Sequence, residues 1–151
     1  MSRRILWVSC LTAIGLFALD RITRALAFAK PAGSILPRIL RSEPLWNSGV
    51  AFGLRLPGAL ITVLLGALIL AVAFLAYSAL RHHDAVPWWA SLIVFVGATS
   101  NVLDRLQYGA VRDFLRLSFW PTTGNLGDWM ITFGAIALLV STFRKPHTPP
   151  T

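Results

Sequence analysis

The sequence predicts an all-α integral membrane protein of four transmembrane helices with a small β element at the membrane surface, and three observations predict it. Only 13% of the 151 residues are charged while 56% are hydrophobic, against about a quarter charged in an ordinary soluble domain, and the mean hydropathy is +0.66. Uncharged runs long enough to enter a bilayer recur four times. Two long polar connections separate them and carry glycines, prolines and acids that no span could bury cheaply.

Taken in order, the chain reads as one membrane domain over 1–151, with helices over about 5–29, 58–80, 85–106 and 126–143 and loops over about 30–57 and 107–125. The first helix has 15 uncharged residues, 5–19. At about 1.5 Å per residue these reach only about 22 Å into a hydrocarbon core of roughly 30 Å, so Asp20 is expected beneath the far surface. Residues 30–57 hold Pro31, Gly33, Pro37, Pro44 and Pro57 among alternating charges and read as a loop. Within it, 46–54 (WNSGVAFGL) reads as a short strand or hairpin packed on the membrane surface. Residues 58–80 contain no charge, and Arg81, His82, His83 and Asp84 make a tight turn. Pro87 suits a first helical turn and Trp88 and Trp89 an interfacial belt. Gly97, Ala98, Thr99 and Ser100 allow close helix approach. The fourth span has 15 uncharged residues, 129–143, before Arg144 and Lys145, and the Pro-rich tail over 145–151 is expected to be disordered.

The formal charge of +8 raises the question of nucleic acid. The basic residues are scattered between apolar runs rather than gathered on one face, which excludes that partner and points to anionic phospholipid headgroups. They flank the spans on both sides, so charge alone does not orient the protein. Cys10 is the single cysteine, which rules out an internal disulfide, and the apolar run before it is too short for a processing site.

Counting spans gathers five of the six acidic residues on one face of the membrane. Asn101 and Asp104 are spaced i, i+3, and Arg105 follows Asn101 at i+4, so the three share one side of a helix end. Asn125 and Asp128 repeat the spacing, and there the plain reading is an N-cap with an acid in the first turn. Asp113, in VRDFL, has Arg112 as its only obvious partner. Each ionisable group at membrane depth costs about 2.5–3.5 kcal/mol on insertion. Two carboxylates brought together in a low dielectric share a proton, which suits hydrolysis of an amide without a metal or a nucleophile. His82 and His83 lie in the opposite turn and His147 in the tail, so a zinc site and a Ser or Cys triad are not expected. Two other classes stay open: an inert four-span protein binding lipid or a partner helix, its acids paired with Arg21, Arg105 and Arg112, and a small proton-coupled transporter, against which stands the absence of acids from the second span.

Five motifs in order, DRITR from Asp20, NSGVAFG from Asn47, SNVLDR from Ser100, VRDF from Val111 and GNLGD from Gly124, resemble those of the lipoprotein signal peptidases (signal peptidase II), and the resemblance covers nearly the whole chain. It implies an intramembrane aspartic endopeptidase that needs no cofactor and cleaves diacylglyceryl-modified prolipoproteins before the lipidated Cys. By the same resemblance Asp113 and Asp128 are the catalytic dyad, and Asp20, Asn47, Gly49, Asn101, Asp104, Arg105 and Asn125 bind substrate or shape the site. It also implies an extracytoplasmic β-cradle formed mainly by the loop between helices 1 and 2, a location in the bacterial inner membrane with both termini cytoplasmic and the acids at the periplasmic face, and cyclic peptides as inhibitors. The chain departs from the family pattern at Arg24, Trp46, Ser100, Arg112, Gly124 and Gly127. Arg112 matters most, because a cation meeting Asp113 would lower its pKa.

Overall fold

A computed structural model describes residues 2–49, 58–81 and 85–143. The expected turn at 82–84, the tail and the part of the expected strand beyond Gly49 lie outside the described residues. Four helices, α1 (Arg3–Phe28), α2 (Gly58–Arg81), α3 (Ala85–Tyr108) and α4 (Leu126–Phe143), accompany one antiparallel sheet of β1 (Gly33–Leu36), β2 (Leu40–Asn47), β3 (Val111–Leu117) and β4 (Thr123–Gly124), in the order β1-β2-β3-β4. Among the described residues α1 is long and apolar enough to cross a membrane by itself, and the apolar stretches Gly66–Ala79 and Leu126–Ser141 are shorter.

α1 is largely polar on its buried face and apolar outside, whereas α2 buries Ile61, Val72 and Ala79. In α1 the buried residues are Ser9, Asp20, Arg24 and Ala27, three of them spaced i, i+4, i+7 on one face, while Trp7, Leu11 and Ile14 stand exposed. Hydroxyls on the apolar faces bond back to their own helix, Thr12 to the Val8 carbonyl at 2.9 Å and Thr23 to the Leu19 carbonyl at 2.8 Å. Trp88 of α3 donates to Ser9 Oγ at 3.0 Å, tying α3 to α1 at the end far from the acids.

α3 packs against each of the other helices, and small residues set how closely. A Cβ on Gly97 would lie 2.4 Å from the Gly127 carbonyl oxygen, and one on Gly134 would lie 2.5 Å from Val94 Cγ2 and 2.8 Å from the Ala90 carbonyl. Backbone-to-backbone approach of this kind takes the place of the hydrophobic drive that lipid removes.

The sheet adds to the sequence reading in two places. The cradle draws on both connections: β1 and β2 come from the first, β3 and β4 from the second, and β2 pairs with β3 between them, Leu40 opposite Leu117 and Asn47 opposite Val111. Of the strand expected over 46–54, Trp46 and Asn47 are the end of β2, which begins earlier, at Leu40. The alternating charges read as a loop signal are the outward positions of that strand, where exposed Arg41 and Arg116 bracket Glu43 at 3.2 and 3.3 Å. Prolines sit at the irregularities: Pro37 and Arg38 (φ +61°) form the hairpin turn closed by Ile39 N–H to the Leu36 carbonyl, and Pro44 lies in the bulge between Ser42 and Leu45.

Gly134→Ala is expected to lower the unfolding temperature in detergent, by about 1–3 kcal/mol of overpacking. Gly15→Ala, where a Cβ meets nothing within 4 Å, is the control expected to be neutral or mildly stabilising, as helix propensity dictates; thermal unfolding of the two variants side by side is the check.

Candidate active site

Five segments converge where α1 and α3 end and α4 begins. α1 brings Asp20, Arg21 and Arg24. α3 brings Ser100, Asn101, Asp104 and Arg105. The end of β2 brings Asn47 and, just beyond, Gly49; β3 brings Arg112 and Asp113; the start of α4 brings Asn125, Gly127 and Asp128. Gly109, at φ +73°, stops α3 through its N–H to the Arg105 carbonyl at 2.9 Å and turns the chain back, so that β3 crosses the helix end. Asn125 caps α4 reciprocally. Its Oδ1 accepts from Asp128 N–H at 2.9 Å, and its own N–H donates to Asp128 Oδ2 at 3.2 Å.

The four carboxyl groups fall into two kinds. Asp104 is fully buried and surrounded by arginines: Arg21 at 2.6 Å, Arg24 at 2.8 Å and Arg112 at 2.9 Å, with the Arg112 N–H at 3.0 Å. Asp20, also fully buried, accepts Arg24 Nε at 2.7 Å, the Ser100 hydroxyl and the Gly127 N–H at 3.0 Å. Both are the paired buried charges that an apolar interior tolerates.

Asp113 and Asp128 are held by amides instead. Asn125 Nδ2 donates to Asp113 Oδ1 at 2.6 Å and Asn47 Nδ2 to Asp113 Oδ2 at 2.8 Å. Asn101 Nδ2 donates to Asp128 Oδ1 at 2.8 Å. Among the described residues neither forms an ion pair of the kind that Asp20 and Asp104 make. Asn125 touches both, one carboxyl through its side chain and the other through its backbone. Asp113 is 1% exposed in its strand. Burial and then the charge of Asp128 push its pKa up to about 6, against the opposing pull of the Asn125 and Asn47 bonds and of Arg24. A carboxyl that holds its proton up to about pH 6 beside a second carboxylate can trade protons with a water or a substrate.

Arg112 leaves that balance alone. Neighbours on a strand face opposite sides, so its guanidinium turns away to Asp104 and lies 4.7 Å from the Tyr108 ring centroid. Trp46 covers the same side, edge-on to Phe28 at 4.8 Å and tilted on Tyr108 at 5.4 Å. Arg105 reaches the Gly49 carbonyl at 2.7 Å, while Gly49 N–H donates to Asn47 Oδ1 at 2.9 Å, which anchors the segment after β2 against α3.

Arg24 is the residue that reasoning from the sequence leaves out of the site. It is fully buried and donates to Asp20, Asp104, Asn101 (2.7 Å) and Asn125 (2.8 Å). Its i, i+4 spacing from Asp20, at a depth where a lone cation is costly, is the available signal; Arg21, which meets Asp104, and Ser100, which meets Asp20, are left out as well. Among the described residues no three His, Cys, Asp or Glu side chains form a set able to hold a metal ion.

Comparison with known proteins agrees with this architecture. The family model described as "Signal peptidase (SPase) II" matches residues 12–144. A lipoprotein signal peptidase of Aquifex aeolicus is 34% identical over 159 residues, covering 95% of this chain and 91% of the relative. That of Syntrophomonas wolfei is 35% identical over 130 residues, covering 81% and 83%. A solved structure described as a bacterial membrane enzyme superposes with a TM-score of 0.79 at 21% identity, covering 95% of this chain and 94% of that one, which speaks for the fold. The chain belongs to the signal peptidase II family, and with it to the peptide-bond hydrolases that process lipoproteins.

Proposed function

We propose that this protein is a four-span aspartic endopeptidase of the bacterial inner membrane that removes signal peptides from diacylglyceryl-modified prolipoproteins, cutting before the lipidated Cys. The observation that carries the catalytic assignment is the division among the buried acids: Asp20 and Asp104 are matched by arginines, whereas Asp113 and Asp128 are held by asparagines and a backbone N–H. An inert protein whose acids serve only as ion-pair partners would have no reason to leave two of them without a directly bonded cation.

In this mechanism the dyad holds one proton between two carboxyls. The ionised member takes a proton from water, whose oxygen attacks the scissile carbonyl carbon, and the other gives its proton to the carbonyl oxygen. On collapse the C–N bond breaks and the leaving amine of the Cys takes a proton from the dyad. Asn101 and Asn125 use their amides within the cluster, so their part is to shape the site; Arg105, held by the Gly49 carbonyl at the edge of the cluster, is the better group to meet the substrate. The exposed apolar faces of all four helices support membrane phospholipid as the surrounding partner. Family membership supports cytoplasmic termini, a periplasmic site and cyclic peptide inhibitors.

Asp113→Asn and Asp128→Asn are each expected to reduce cleavage of a synthetic diacylated lipobox peptide by more than about a hundredfold; retained turnover in both would end the dyad assignment. The pH profile carries a second expectation. A proton held to about 6 on Asp113 is lost as pH rises through that value, so kcat/KM should fall with increasing pH above an apparent pKa near 6 that belongs to the pair. A rate that climbs steadily from acid to pH 8 contradicts a shared proton.

A further inference from the structure

Arg24 binds the dyad at one remove, and Gly127 is what lets it do so. One guanidinium nitrogen, Nη2, donates to two asparagine oxygens, Asn101 Oδ1 at 2.7 Å and Asn125 Oδ1 at 2.8 Å. An amide whose oxygen is held must present its NH2 the other way, and the two NH2 groups so presented are those that reach Asp128 at 2.8 Å and Asp113 at 2.6 Å. The remaining donors fix the guanidinium itself, Nε on Asp20 at 2.7 Å and Nη1 on Asp104 at 2.8 Å. A planar fork with five N–H groups can meet these four acceptors together; an ammonium with three cannot.

The fork needs room. A Cβ on residue 127 would lie 2.9 Å from Arg24 Nη2, 2.9 Å from Asn125 Oδ1 and 3.1 Å from the Gly97 carbonyl. The tip of a surface arginine would step aside at little cost, but this one is fully buried and hydrogen-bonded to four side chains, and α3 backbone closes the third side. Asn125 Oδ1 has two donors, Asp128 N–H at 2.9 Å and Arg24 Nη2 at 2.8 Å, and a methyl here breaks the second, the one that ties the amide to Asn101 and α3.

We propose that Arg24 is the positioning residue that aims both dyad asparagines, and that glycine at 127 is its obligate steric partner, so that the two positions act as one unit. This rests on the endopeptidase reading for its catalytic consequence and on geometry alone for the coupling.

The test is a double-mutant cycle of Arg24→Lys, Gly127→Ala and the pair together in the full-length protein, read by kcat and KM on a diacylated lipobox peptide and by thermal unfolding in the same detergent. Each single variant is expected to lose about tenfold or more in kcat with KM little changed, because the substrate's own contacts are intact. The double variant, in which the slimmer ammonium makes room for the methyl, is expected to be at least about tenfold more active than the product of the two single losses. Should Gly127→Ala fail to fold, a double variant that folds and cleaves still supports the pair, and one that fails as well overturns it. Independent, multiplicative effects, or a Gly127→Ala enzyme equal to wild type, overturn it too. If the wild-type protein does not cleave the peptide, the endopeptidase reading falls, whereas the coupling is still read from the unfolding temperatures, where non-additivity supports it and additivity refutes it.

Discussion

The guanidinium of Arg24 is buried and answers to four partners drawn from two helices, α1 and α3, and from the turn before α4. A cation in that position would be ruinous alone, and so would the acids around it; together they neutralise one another in a region where solvent cannot. The cost of burial becomes a geometric constraint, since only one arrangement of α1, α3 and the start of α4 satisfies every donor. That constraint ties the end of α1, the end of α3 and the turn before α4 to one another. It also leaves two carboxyls outside the neutralised set, which is the property the proposed chemistry needs.

The sheet extends the same logic outward. By pairing β2 with β3 it brings together residues more than sixty positions apart, Leu45 opposite Asp113 and Trp46 opposite Arg112. Alternation along the two strands then sorts them, Asn47 with Asp113 on one face and Trp46 with Arg112 on the other. The first face carries the amide-held acid. The second completes the arginine cluster on Asp104 under a cover of Phe28, Trp46 and Tyr108. Adjacent residues of opposite charge in VRDF can thus belong to different electrostatic environments without cancelling.

Much of this is legible in the chain because membrane depth makes charge conspicuous. Asp20, Asp104, Asp113 and Asp128 stand out as acids against apolar runs, and the repeated Asn-x-x-Asp spacing places Asn101 and Asn125 beside two of them. The sheet is less legible: in a strand whose outward face is charged, alternation resembles the irregular polarity of a loop, and pairing between two separate connections leaves no local trace. Arg24 escapes notice for a related reason. Its i, i+4 relation to Asp20 suggests a private ion pair, and nothing in the linear order says that Asn101 and Asn125, from segments far along the chain, converge on the same nitrogen. Gly127 likewise reads as a small residue in a helix start until the neighbours of its missing Cβ are known.

The claim beneath all of this is that the buried acids differ in kind, two neutralised by arginine and two poised to hold a proton. Isotope-edited infrared titration of carboxyl-labelled aspartate in the intact protein measures it without substrate. The account predicts a protonated-carboxyl stretch that survives to about pH 6, well above the ordinary aspartate value of 3.8, and that loses intensity in Asp113→Asn. A spectrum in which every aspartate is ionised by the time the pH passes the ordinary value would contradict it.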